Sequence, residues 1–349
     1  MKHSFGFMVL SIVLAVLASS GLLTWMVPLL RRRMLDHPNA RSSHHEPTPR
    51  GGGLAFVIVS AASGAIGWLE ALLAKPGAVS GPTAMLALPL LALPLAVVGI
   101  LDDRHNLSAA LRYGAQLATA LLLIALSPLV SALPSALASV VPLGWLLPLP
   151  VLAFLLIFVT AIINFTNFMD GLDGIVAGCI AVSICALAIA LAAPWPLWAL
   201  VGGLLGFLFW NWSPAKVFMG DVGSTFLGAV FAGLVLQAPS WPEALGLLLV
   251  ATPLLGDACF CVLRRLLAGQ KVLQAHRLHL FQRLHQAGWS HARVSSLYIT
   301  ATALLALTLL IGGWHSVVIL AIVEIFLGVW LDQTVAVPFA VASVVVEGR

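Results

Sequence analysis

Apolar residues in this chain fall into long blocks, and short polar stretches separate them. A helix must carry about 20 apolar residues to cross a bilayer. Runs at 5–28, 52–74, 83–101, 111–130, 147–163, 174–193, 197–212, 222–238, 244–263, 295–312 and 314–331 reach or approach that length. The pattern predicts an all-α, polytopic integral membrane protein with about 11 (10–11) transmembrane helices, forming a single domain over residues 1–349. Lys2 ahead of the first run and small residues near Ala18–Gly21 give it the look of a signal sequence. Arg31, Arg32 and Arg33 follow at once, so it reads as a retained anchor rather than a cleaved leader.

Composition agrees: 61% of residues are hydrophobic and only 9% charged, with a mean hydropathy of +1.06. A soluble domain carries about 25% charged residues and could not bury this much apolar surface. A soluble enzyme, a nucleic-acid binder, a disulfide scaffold and a disordered chain are excluded. The four cysteines, Cys179, Cys185, Cys259 and Cys261, lie inside apolar runs without metal-site spacing, and read as small core residues.

Charge then orients the thread. With eleven spans and the N-terminus outside, 15 of the 17 basic residues fall on the cytoplasmic side, and only Lys2 and Lys75 fall outside. The opposite orientation would violate the positive-inside rule. Net charge +4 and a pI near 9.1 therefore reflect topology rather than a nucleic-acid partner.

Eight of the 13 acids also sit at cytoplasmic edges, where topology has no need of them. Five polar segments, within or flanking the loops 31–51, 102–111, 164–173, 212–221 and 264–294, carry the candidate chemistry. Asp102 and Asp103 repel one another unless a cation or basic group answers them; they suit Mg²⁺, or a base or positioning role, or a solvated cap paired with Arg104. Asp170 and Asp173 would share one face of a helical turn. Asn164 and Asn167, just upstream, offer amides to a metal or a base edge; the bland alternative is a polar turn. Asp221, among glycines and a serine at a helix start, suits a cation held against phosphate, or acts simply as an N-cap. Arg277 can fork onto phosphate, and His276, His279 and His285 can donate or titrate. The bland alternative there is a patch for lipid headgroups, and the histidines lack the spacing of a zinc-protease motif. Asp257, inside a run, is left outside the site, with a pairing to Arg264 and Arg265 as an equal reading.

Together these segments resemble the polyprenyl-phosphate N-acetylhexosamine-1-phosphate transferases. The shared features are Asp-x-Pro-x-x-Arg-x-x-His (Asp36 to His44) with Pro-Arg-Gly-Gly (Pro49 onward), the aspartate pair, Asn-Phe-x-Asn-Phe-Met-Asp-Gly-Leu-Asp-Gly (Asn164 to Gly174), Phe-Met-Gly-Asp-Val-Gly-Ser (Phe218 to Ser224) and a histidine-bearing last loop. The resemblance runs from about Asp36 to His291. It implies transfer of a HexNAc 1-phosphate from a UDP-sugar to undecaprenyl phosphate, with release of UMP and with Mg²⁺, or Mn²⁺ in its place. It further implies a multi-pass protein of the bacterial inner membrane with its site facing the cytoplasm. By the same resemblance Asp102, Asp103, Asp170 and Asp221 are catalytic, and Asn167 and Asp221 hold the metal. Asn164, Asp173, Phe218, His44, Arg50, Arg277, His276 and His279 bind substrate, Phe218 giving uracil a stacking face. A homodimer stays open.

One position departs from the pattern. Many relatives have His-x-His in the last loop, whereas Phe281 follows His279 here. Ala275-His276-Arg277-Leu278-His279 looks more like the O-antigen-initiating subgroup that uses 6-deoxy-HexNAc donors such as FucNAc or QuiNAc, alongside UDP-GlcNAc as the simple choice. The rival from another class is a transporter or flippase of lipid-linked saccharides, which expects ionisable groups at mid-bilayer and broken helices in repeats.

Overall fold

A computed structural model describes residues 5–38, 43–44, 46–74, 82–132, 148–271 and 276–347. Lys2, Arg41, Lys75 and Arg349 of the charge argument lie outside the described residues. Each apolar run folds as helix, because within lipid only a helix satisfies its own backbone N–H and C=O groups. The elements are α1 (Phe5–Arg33), α2 (Leu54–Ala74), α3 (Pro82–Leu91), α4 (Leu93–His105), α5 (Ala109–Ala125), α6 (Pro128–Ser131), α7 (Pro148–Phe168) and α8 (Ile175–Ala190). They continue as α9 (Trp195–Asn211), α10 (Asp221–Val235), α11 (Trp241–Leu249), α12 (Thr252–Leu267), α13 (Leu280–Gln286), α14 (His291–Thr334) and α15 (Phe339–Glu347). Among the described residues two short strands are the non-helical elements: β1 (Leu35–Asp36) pairs antiparallel with β2 (Thr48–Pro49).

The chain is a multi-pass helical membrane protein. Among the described residues, five helical stretches are long and apolar enough to cross, α3 and α4 counting as one, and a sixth span forms if α11 and α12 are taken together. That pair bends by 87° at its break, where Pro253 can donate no backbone hydrogen bond. The last two runs share α14, 44 residues long and interrupted at Gly313. The helices α5, α8, α9 and α10 are shorter, at 15–17 residues. Of these, α10 is buried from Val222 to Val235 and α8 is nearly so. The outer helices instead expose large apolar side chains such as Phe154, Ile157 and Ile311, surface that lipid covers.

Several polar residues placed in loops by the sequence pattern belong instead to helix ends. Asp102 and Asp103 belong to the last turns of α4, Asn164 and Asn167 to the last turns of α7, and Asp221 is the first residue of α10. Their backbones stay in the helical ladder, so each carboxylate is aimed by a rigid element.

Candidate active site

The site is assembled around the start of α10. Pro49–Gly53 lies along Phe218–Met219 in a strand-like ladder: Phe218 N–H donates to Pro49 O (2.8 Å), Gly52 N–H to Phe218 O (2.9 Å) and Gly53 N–H to Met219 O (2.9 Å). Arg50 N–H donates to Met34 O (2.8 Å), extending the β1–β2 pair and setting Arg50 beside Asp36. Gly220, at φ +75°, then turns the chain into α10. Helix α4 crosses this turn at Gly99, where an added Cβ would fall 2.5 Å from Val222 N and 2.6 Å from the Asp221 carbonyl. Only glycine allows that approach, which brings Asp102 and Asp103 to Asp221.

Arg50 stands amid carboxylates. It reaches Asp103 at 3.3 Å and Asp36 at 3.4 Å. Burial alone would lower its pKa, but the charges of Asp103, Asp36, Asp221 and Asp170 outweigh it and hold the guanidinium more firmly charged. Asp103 Oδ1 accepts from the Asp221 N–H (3.3 Å), while its buried Oδ2 has no hydrogen-bond partner. Asn167 Nδ2 donates to Asp221 Oδ1 and to Ser224 Oγ, each at 2.9 Å. The Asp102 carboxyl also faces Asp221 and is fixed from behind by Arg112 (2.9 Å) and the Leu107 N–H (2.6 Å). Asp170, in the turn after α7, has its pKa pushed up to about 7 by burial first and by the charge of Asp221 next.

These groups border a cavity of about 270 Å³. Of the residues singled out from sequence, His44, Arg50, Asn167, Asp170, Asp173, Phe218 and Asp221 line it, and Asp102 and Asp103 stand behind its acidic wall. At the other end the His44 ring meets Phe218 edge-on, with centroids 4.8 Å apart, and its buried Nε2 has no partner. Asp173 accepts from the Ala215 N–H (3.2 Å) and faces His291 Nδ1 (3.2 Å), whose Nε2 bonds Ser43 O (3.0 Å).

Gln282, His291 and Asn211 line the same cavity and were not expected to. His291 closed the region of family resemblance, a signal that went unused. Gln282 and Asn211 carried no signal, being polar residues at helix positions where many would serve.

Four expected contacts lie elsewhere. Asn164 is consumed by a reciprocal amide pair with Gln116, at 2.7 and 3.1 Å, and by Thr160 O at 2.8 Å. His276, Arg277 and His279 do not line the cavity, because α13 presents Gln282 to it and turns the preceding residues toward α12. Asp257 fastens that arrangement. It accepts from the N–H groups of Leu280 (2.8 Å) and Phe281 (3.0 Å) and from Tyr298 Oη (2.8 Å). Arg264 bonds Asp332 instead of Asp257, and Arg265 donates to Lys271 O (2.6 Å). His279, almost fully buried, faces Asp257 at 3.8 Å. Burial would lower its pKa, but the Asp257 carboxylate and Cys261 beside it raise it to about 9. His276 is driven down to about 3 by burial, His279 and Arg265.

Comparison with known proteins gives a consistent answer. Residues 85–238 match the family described as Glycosyl transferase family 4. The probable undecaprenyl-phosphate N-acetylglucosaminyl 1-phosphate transferase of Bacillus subtilis (strain 168) is 30% identical, covering 93% of this chain and 92% of its own. The decaprenyl-phosphate N-acetylglucosaminephosphotransferase of Mycobacterium leprae (strain TN) is 32% identical, over 78% of this chain and 75% of its own. The phospho-N-acetylmuramoyl-pentapeptide-transferase of Synechococcus sp. (strain JA-3-3Ab) is 34% identical, over 84% and 88%.

Proposed function

Because the chain belongs to the polyprenyl-phosphate N-acetylhexosamine-1-phosphate transferase family, and is thus a membrane glycosyl-1-phosphate transferase, we propose a specific reaction for it. A UDP-HexNAc gives its sugar 1-phosphate to undecaprenyl phosphate at the cytoplasmic face of a bacterial inner membrane, releasing UMP. This initiates O-antigen or another cell-surface polysaccharide. The observation that carries the reading is the convergence of polar segments. Four of the five line one cavity, and the remaining one, through Asp103, binds the Arg50 that lines it.

An oxygen of the acceptor phosphate attacks the donor's β-phosphorus, and the bond to the UMP oxygen breaks. Such a transfer needs alignment and charge neutralisation more than covalent help. Arg50 offers a fork to the transferring phosphoryl group. Phe218 and His44 form the nucleoside end, with Asp173, held by His291, as acceptor for uracil N–H. Asp102 and Asp103 position the acceptor.

A divalent cation fits the acidic end. Four carboxylates converge there, Asp103 Oδ2 is buried without a partner, and oxygen-only donors suit Mg²⁺ or Mn²⁺. Asp221 and Asn167 would hold it. Once bound it supplies Lewis-acid neutralisation of the pyrophosphate.

Donor choice lies between UDP-GlcNAc and a 6-deoxy-HexNAc. Phe281 is fully buried, so the departure at that position acts through packing, and Gln282 is the residue of α13 that meets the donor. The test is purified protein with undecaprenyl phosphate, a panel of UDP-HexNAc donors and Mg²⁺, read as UMP release and lipid-linked product. UMP release that chelation abolishes and Mg²⁺ restores is expected. A folded preparation releasing no UMP with any donor overturns the reading.

A further inference from the structure

Outside the donor cavity, three side chains that do not line it meet one another. Cys261 comes from α12, and His276 and His279 come from the segment entering α13. Their ligand-bearing atoms all lie within 4.8 Å of one another. The two imidazoles stack with centroids 5.0 Å apart. Cys261 is 5% exposed and His279 2%, while His276 is partly exposed at the edge of the group.

Each histidine has one nitrogen turned to a neighbour, which leaves the other for a ligand. His276 Nδ1 accepts from the Leu278 N–H at 3.3 Å, which leaves Nε2. His279 turns Nδ1 toward Asp257 at 3.8 Å, too far for a good hydrogen bond, and that nitrogen is buried without a partner. A carboxylate behind a ligating histidine fixes the tautomer and turns the other nitrogen to the metal. Asp257 is itself immobilised by Leu280, Phe281 and Tyr298.

We propose that Cys261, His276 and His279 bind one zinc ion, with Asp257 behind His279 and water in the fourth position. One thiolate and two imidazoles suit zinc, a borderline-soft tetrahedral ion, and suit Mg²⁺ poorly. The ion ties the segment before α13 to α12. It thereby fixes the helix that presents Gln282 to the donor cavity. It is separate in ligands and position from the cation at Asp221.

The test uses the full chain in detergent, purified with an affinity tag that contains no histidine. Elemental analysis is expected to find about one zinc per chain. Exchange for Co²⁺ is expected to give the sulfur-to-cobalt charge-transfer absorption of a thiolate ligand. Cys261→Ser should abolish that absorption, and Asp257→Asn should weaken metal binding about 10- to 100-fold. A monodisperse wild-type protein that takes up neither zinc nor Co²⁺, or takes up Co²⁺ without a thiolate band, overturns the proposal. So does a Cys261→Ser chain that keeps the band. The wild-type spectrum decides by itself if the variants do not fold.

Discussion

At the scale of single residues, the cavity divides into an acidic end and a nucleoside end, and each can be perturbed alone. Asp221 begins α10, and Asn167 Nδ2 donates to its carboxyl. Asp221→Asn preserves shape and removes charge where the phosphates converge. Turnover should fall about 100- to 1000-fold, the loss typical of removing one electrostatic stabiliser, while gel-filtration behaviour stays unchanged. His291 bridges Asp173 and Ser43 O. His291→Ala frees Asp173 to reorient, and hydrogen bonds to charged groups contribute about 1.5–3 kcal/mol. Donor KM should therefore rise roughly 10- to 100-fold with a smaller change in kcat, measured by steady-state UMP release. Asp221 was legible in sequence because a carboxylate at a membrane edge needs a reason. His291 was not, since a histidine at the start of a helix has many uses, and its partners Ser43 and Asp173 lie far away in the chain.

At the scale of elements, the glycine at the α4–α10 crossing sets the geometry. Gly99→Ala would drive a methyl into the backbone of Asp221 and Val222, which lie within 2.6 Å of the added carbon. Backbone cannot swing aside as a side chain can, so the helices must part. Overpacking of this kind costs about 1–3 kcal/mol, and it shifts Asp102 and Asp103 from Asp221. Both Tm and turnover should drop. Gly114, in α5, is the control, with no atom within 4 Å of an added Cβ. Gly114→Ala should leave activity intact and leave Tm equal or slightly raised, since alanine is favoured over glycine in a helix by up to about 1 kcal/mol. Thermal scans of the two variants separate the effects. Apolar runs announced the long helices, because lipid permits no other backbone, but not α13 or α15, which lie outside every run. They could not announce the 87° bend between α11 and α12 or the meeting of Cys261 with His276 and His279, which depend on how helices pack. The same limit misplaced Asn164, whose partner Gln116 belongs to α5.

At the scale of the whole molecule, the few charges act twice. Arg31, Arg32 and Arg33 end α1, and the basic residues that follow cluster on the side where the carboxylates gather. On the proposed reading one sidedness serves topology and chemistry together, because a nucleotide-sugar donor is available only in the cytoplasm. This fixes what a labelling experiment must find. Pro239, exposed between α10 and α11, and Lys216, exposed between α9 and α10, flank opposite ends of α10. With exposed Cys259 replaced by alanine, Pro239→Cys should react with a membrane-impermeant maleimide in intact cells. Lys216→Cys, beside the rings of Phe209 and Trp210, should react only after permeabilisation. The reverse pattern would put Asp221 and Arg50 on the outer face, away from any nucleotide sugar. The transfer reaction could not then run in the cell, however well the purified protein turned over.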